Sequence, residues 1–261
     1  ACFGLGFIFG PMIGGILSGS ASGSINFQAA PLFAASLSSI AAFLVVILLQ
    51  ESRKVGSVNS GGRGWFAPIY LAVRRADMKR LIYLFLLVMF VFAGLEATIA
   101  LWAERQFLWG PREVGYLFAY VGVIAAVVQG GIIGPATQRW GEMRVIILGL
   151  CGLVAGFALM PVASGMSLLL VATALLAGGF GLCNPALNSL ISRRASSDSQ
   201  GAVLGVAQSG ASLARILGPA FAGAVFSSLG RHAPYIIGAL LLLFALGIAW
   251  RMMQSSDVDA A

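Results

Sequence analysis

Eight separate runs of predominantly apolar residues, at roughly 1–18, 31–50, 80–104, 113–136, 144–163, 166–191, 201–228 and 233–252, limit what this chain can become. Each approaches or exceeds the about 20 residues that a helix needs to cross the hydrocarbon core of a bilayer. Inside lipid the backbone must satisfy its own N–H and C=O groups, which an α-helix does within one segment. The residue balance removes the water-soluble alternative, with 59% hydrophobic and 10% charged residues against about 45–50% and about 25% in soluble domains. The sequence predicts an all-α polytopic membrane protein with eight transmembrane helices, in direct contact with the lipid bilayer.

The charges outside the runs give a direction. Arg53, Lys54, Arg63, Arg74, Arg75, Lys79, Arg80, Arg139, Arg144, Arg193, Arg194 and Arg251 fall at one side, whereas only Arg105, Arg112 and Arg231 fall at the other. Basic residues collect on the cytoplasmic side of membrane proteins. The central loop and the C-terminus are therefore expected in the cytoplasm, in a cell (plasma or inner) membrane. The net charge of +7 is then topological, and no nucleic-acid partner is implied.

One loop differs from the rest. Residues 56–64, Gly-Ser-Val-Asn-Ser-Gly-Gly-Arg-Gly, have the composition of a flexible linker. Residues 65–75 then mix aromatic, aliphatic and basic residues as an amphipathic interfacial helix would. A long linker beside tight loops such as 164–166 marks a domain boundary, with two spans before it and six after. Residues 1–50 would be the last two helices of a front unit and 51–79 a cytoplasmic linker. Residues 80–252 would form a complete six-helix unit, followed by a tail at 253–261.

A repeat supports that division. Ile8-Phe-Gly10-Pro11-Met-Ile-Gly-Gly15 in the first run matches Ile216-Leu-Gly218-Pro219-Ala-Phe-Ala-Gly223 in the seventh, six spans later. Since Gly134-Pro135 also occurs in the fourth run, a chance match is the competing explanation; the spacing and the linker favour the repeat. The front unit then lacks four helices. Ala1 already lies inside an apolar run, so the chain reads as a fragment. Parallel six-helix repeats with substrate at their interface are a transporter design.

On these residues the chain resembles the major facilitator superfamily, and within it the drug:proton antiporter branch that includes tetracycline-type efflux pumps. Gly6-x3-Gly10-Pro11-x2-Gly14-Gly15 resembles the antiporter signature of that branch's fifth helix. Gly134-Pro-Ala-Thr-Gln-Arg139-Trp-Gly141-Glu-Met-Arg144 resembles the second copy of the family's cytoplasmic gate loop, with Gln138 in place of an acid and Glu142 in place of a base. The resemblance implies that the chain is the C-terminal part of a twelve-helix fold, family helices five to twelve. It further implies alternating access by two rocking halves, driven by protons, in a carrier that works as a monomer. Gly10, Pro11, Gly14 and Gly15 would act by close helix apposition that limits leak, or by packing alone.

Of the 25 charged residues, only Glu96 and Arg215 fall deep inside apolar runs. A charge at mid-membrane costs at least about 2.5–3.5 kcal/mol and usually faces a cavity or a partner. Glu96 is about 24 Å along its helix from Arg80, and Arg215 about 21 Å from Gly201, at 1.5 Å per residue. The two therefore sit at similar depth, and the resemblance implies that their helices, the seventh and eleventh of the family, are neighbours. Glu96 alone in an apolar pocket could carry a proton; paired with Arg215 it would be a lock. The bland alternative has Glu96 wet at the outer mouth and Arg215 snorkelling. Gln129, the pair Asn184 and Asn188, and the stripe Gln208, Ser212 and Arg215 add polar groups at helical spacing, as a substrate wall or as interhelical hydrogen bonding would. Aromatics such as Phe90, Phe92, Tyr116, Phe118 and Tyr120 could stack on a ligand or face lipid.

Nothing in the sequence calls for a cofactor, a metal or an enzymatic reaction. There is a single histidine, His232, and the three cysteines (Cys2, Cys151, Cys183) lie in apolar runs with no metal-ligand spacing. The expectation is proton-coupled export of a small amphiphilic or drug-like compound, with protons and that compound as ligands. A metabolite or sugar carrier of the same fold and a non-transporting membrane scaffold are the alternatives.

Overall fold

The computed structural model describes residues 2–18, 28–48, 76–195 and 200–258, and these are helical apart from short turns. The helices are α1 (Cys2–Ser18), α2 (Ala29–Leu48), α3 (Ala76–Phe107), α4 (Pro111–Val127), α5 (Ile133–Trp140), α6 (Glu142–Leu159), α7 (Met166–Arg194), α8 (Gln200–Leu229) and α9 (Ala233–Val258). A π-helical turn at Val128–Ile132 joins α4 to α5, so Pro111–Trp140 is one span. Each predicted run coincides with a helical segment over its described residues. Seven of the eight spans are long and apolar enough to cross a membrane, and α1, at 17 residues, is the short one. The linker at 56–64 and the amphipathic stretch at 65–75 lie outside the described residues.

The helices extend past the apolar runs at the end of the molecule rich in arginine. Residues 137–144, expected as a loop, are helical except for Gly141. Gly141 carries φ +78°, where a side chain would be strained, and so reverses the chain in one residue. Likewise α7 continues through Arg194 and α9 through Val258, so residues 192–194 of the expected loop and 253–258 of the expected tail are helix. Hydropathy marks where lipid ends, whereas the hydrogen-bond ladder continues until a residue breaks it.

Packing among α3–α9 relies on small residues. Without a hydrophobic force between helices in lipid, close approach of backbones supplies the contact energy. Gly149, Gly152 and Gly156 of α6 lie against Gly179, Leu175 and Ala172 of α7, backbone to backbone. On α3, Gly94 meets Gly218 and Ala222 of α8, and a Cβ on Gly218 would collide with the Phe90 carbonyl oxygen. Gly238 of α9 faces Phe157 of α6 and Val91 of α3. Around these crossings Trp102, Tyr235, Phe85 and Phe157 are fully buried. Helix α1 packs on α4. Helix α2 has no buried residue, and its Val46 is 83% exposed; in a bilayer such an all-round apolar surface faces lipid or other helices.

Among the glycines of the α1 stretch, one approaches a neighbouring backbone closely. A Cβ at Gly15 would lie 2.8 Å from the Pro111 carbonyl oxygen and 3.1 Å from the Gly115 Cα, whereas Gly6, Gly10 and Gly14 face nothing within 4 Å. In the α8 copy the contacting glycine is Gly218, and Gly223 faces nothing within 4 Å. The two copies thus touch their neighbours through non-equivalent positions, Gly15 aligning with Gly223.

Candidate functional site

Four helices converge on a pocket with about 500 Å³ of empty space, its open side included. Met89, Phe92, Ala93 and Glu96 of α3 line it at i, i+3, i+4 and i+7, which is one helix face. Val121 and Ala125 of α4 continue to Gln129 in the π turn. Ala177 and Phe180 come from α7 and Arg215 from α8. Single π turns inside α-helices re-aim the side chains that follow, often at functional sites. Here Gly130 and Gly131, which pack on nothing within 4 Å, leave the wider turn unobstructed beside Gln129.

The pocket joins two chemistries. Phe92 and Phe180 stack with centroids 3.7 Å apart and planes 9° apart, forming a flat apolar wall. Opposite charges, Glu96 and Arg215, line the same pocket beside it. They do not close on each other: among the described residues the one ion pair within 4.0 Å joins Arg193 to Glu142. Both charges remain available to a third group.

Glu96, Gln129 and Arg215, far apart in sequence, thus line one pocket. Asn184, Asn188, Gln208 and Ser212 do not. Asn188 Nδ2 donates to the Asn184 backbone oxygen (3.0 Å) and to its Oδ1 (3.1 Å), and Gln208 Nε2 donates to Asn188 Oδ1 at 3.4 Å. Ser212 Oγ donates to the Gln208 oxygen at 3.1 Å. These four form a polar seam between α7 and α8, with Gln208 about 10 Å along the helix from Arg215. Sequence reading passed over Met89, Ala93, Ala125, Ala177 and Phe180, because apolar residues in an apolar helix carry no local signal of which face meets a cavity.

At the arginine-rich end, Gly134 packs on nothing within 4 Å, and Arg139 and Arg144 are exposed. Glu142, at the residue where the family pattern has a base, accepts from Arg193 Nη1 at 3.1 Å and from Ser189 Oγ at 3.4 Å. The start of α6 is therefore tied to the end of α7 through an acid at a position where the family pattern has a base.

At the opposite end, Trp102 Nε1 faces His232 Nδ1 at 3.4 Å, and Arg231 Nε faces His232 Nε2 at 3.0 Å. Arg231 Nη1 also donates to the Arg105 oxygen at 2.9 Å. A neutral imidazole accepts at one ring nitrogen and a protonated one at neither. Burial first, and then the Arg231 charge, hold His232 below the usual histidine range. Between that lowered value and the ordinary one of about 6.5 the unfolded chain binds a proton that the folded chain does not. Stability should therefore be complete above about pH 6.5, fall as the pH drops below it, and level off once the folded ring is protonated too. Thermal midpoints of the detergent-purified protein across that range test this, and a His232→Gln variant with the same pH slope as the parent would refute it.

The sequence matches the Major Facilitator Superfamily over residues 1–134 and again over 97–259. It is 32% identical over 254 residues to the class C tetracycline resistance protein of Escherichia coli, covering 94% of this chain and 62% of that protein. It is also 32% identical over 268 residues to the class G tetracycline resistance protein of Vibrio anguillarum, covering 99% of this chain and 65% of that one. The fold matches the crystal structure of the human organic anion transporter MFSD10 (TETRAN) with a TM-score of 0.76 at 24% identity, over 95% of this chain and 61% of that one. The chain thus spans less than two thirds of the length of these relatives.

Proposed function

The chain belongs to the major facilitator superfamily of membrane transporters, and we propose that it forms the C-terminal part of a proton-coupled drug exporter. In this reading α1 and α2 complete a front six-helix half, and α3 to α9 with the π turn form the rear half. The cytoplasmic linker, expected over 51–79, ends at residue 75 because the helix ladder of α3 already begins at Ala76, and the arginine-rich end faces the cytoplasm. The pocket opens by turns to either side as the halves rock.

One observation carries the reading: Glu96 and Arg215 line a single pocket without pairing within 4.0 Å, beside the stacked Phe92–Phe180 wall. A flat amphiphilic compound can lie on the rings while its polar groups meet Gln129 and Arg215. The Glu96 carboxyl then takes up a proton from outside when the pocket is empty and gives it up inside as substrate enters. Coupling requires that substrate and proton bind the two pocket states with different affinity. The tetracycline resistance relatives lend the substrate class, and the signature of α1 lends the direction.

The test uses inside-out membrane vesicles containing the protein expressed from its complete gene. With an acidic interior established by respiration, tetracycline or another flat amphiphile should enter the vesicles and release protons, and nigericin should stop both. Uptake that survives collapse of the gradient would sink proton coupling. Proton release on addition of a sugar or metabolite, with none from the amphiphiles, would favour the metabolite carrier instead.

A further inference from the structure

Three cavities adjoin between the pocket and the end of the molecule that bears Arg105, Arg112 and Arg231. The pocket itself shares Phe92, Glu96, Val121 and Ala177 with a second chamber that has about 310 Å³ of empty space, its open side included. That chamber is lined further by Leu95, Ile99, Leu176, Thr173 and Phe118. Phe118 is also the residue it shares with a third and larger space, a groove of about 1360 Å³ with its open side included, between the end of α1, the end of α3 and the start of α4.

The three spaces differ in chemistry. The groove holds one carboxylate, Glu104, which is exposed. The neighbouring charged groups are engaged: Glu113 Oε2 accepts from the Gly110 N–H at 2.9 Å, and Arg112 Nε donates to the Tyr116 hydroxyl at 3.0 Å. The middle chamber is apolar apart from Glu96 and Thr173, and the Thr173 hydroxyl is spent on the Leu169 oxygen at 2.8 Å. An apolar constriction of this kind blocks by excluding water. Without water a proton cannot pass from the groove to Glu96. Phe118, Val121, Ala125 and Gln129 follow one stripe of α4 and the π turn at i, i+3, i+7 and i+11, so the ring stands about one turn outward of the pocket wall.

We propose that Phe118 is the outer gate of this carrier: its ring separates a proton-collecting groove, marked by Glu104, from the chamber that leads to Glu96. This rests on the reading of Glu96 as the proton carrier. Displacement of the ring would join the cavities and let a file of water reach the carboxyl from outside. With the ring in place Glu96 communicates only with the central pocket.

Ile99 and Ala100 are adjacent in α3 but line different spaces, the chamber and the groove respectively. In a cysteine-free background of the complete protein, Ile99→Cys and Ala100→Cys are labelled in intact cells with an externally added, membrane-impermeant cationic methanethiosulfonate. The Ala100→Cys variant should react at the same rate whatever stands at 118. The Ile99→Cys variant should react slowly with Phe118 present, several-fold faster with Phe118→Ala, and more slowly still with Phe118→Trp. Because these two substitutions predict opposite shifts, either decides the matter if the other fails to reach the membrane. An Ile99→Cys rate indifferent to residue 118 overturns the gate, even if Glu96→Gln abolishes transport. Labelling controlled by residue 118 while Glu96→Gln transports normally keeps the gate and removes the proton carrier.

Discussion

Replacing Glu96 with Gln should lower gradient-driven transport by about 100-fold or more, the lower end of what a positioned proton-transfer group contributes, while leaving substrate binding largely in place. Gln keeps the volume and the hydrogen-bonding reach of Glu but cannot take up and release a proton. The stacked wall of Phe92 and Phe180 and the Arg215 guanidinium are untouched by the change, so the surface offered to an amphiphile persists. The separation of the two effects is the diagnostic part. Accumulation against a gradient should vanish, whereas exchange of labelled for unlabelled substrate at equal concentrations, which needs no net proton movement, should survive. Glu96→Asp restores a titratable group but retracts it by about 1.5 Å, one methylene, and should recover part of the rate. If Glu96→Gln accumulates substrate as the parent does, the coupling carboxyl lies elsewhere.

The second large effect concerns assembly of the bundle. Gly179→Val should sharply reduce the amount of folded protein, because a Cβ there would lie 2.6 Å from the Gly149 oxygen and 2.7 Å from the Leu153 nitrogen. Those are backbone atoms of α6, which cannot rotate away as a side chain would. The two helices must separate, and overpacking of this sort costs about 1–3 kcal/mol or more. The relation is reciprocal, since a Cβ on Gly149 would meet the Gly179 oxygen at 2.7 Å. Gly178 is the matched control. It precedes Gly179 in the same helix and meets nothing within 4 Å, so Gly178→Val introduces the same side chain without the collision. Detergent thermal midpoints and folded yield should fall for the first variant and hold for the second. Equal behaviour of the two would mean that α6 and α7 do not approach as closely as this.

Both predictions depend on helix neighbours, and this is where sequence reading stopped. The eight apolar runs and the deep placement of Glu96 and Arg215 were visible in the chain because hydropathy and charge are written residue by residue, and lipid makes a buried charge conspicuous. Even the similar depth expected of those two residues followed from counting 1.5 Å per residue along two helices. What the chain alone left open was rotation about each helix axis. A soluble helix declares its inner face by its polar outer one, but these helices are apolar on most sides, and lipid and core ask for the same residues.

Only the tertiary structure decided that Gln129 turns into the pocket while Asn184, Asn188, Gln208 and Ser212 bond among themselves between α7 and α8. It also decided which glycine of each Gly-Pro copy touches a neighbour: Gly15 in α1, Gly218 in α8. A glycine pattern states where close approach is permitted, and the partner backbone determines where it happens. The sequence by itself determined where the apolar helices lie and which of them carry a charge far from their ends, because both are properties of a single segment in lipid. The pocket was decided by the packing of four segments, whose relative rotations no single segment encodes.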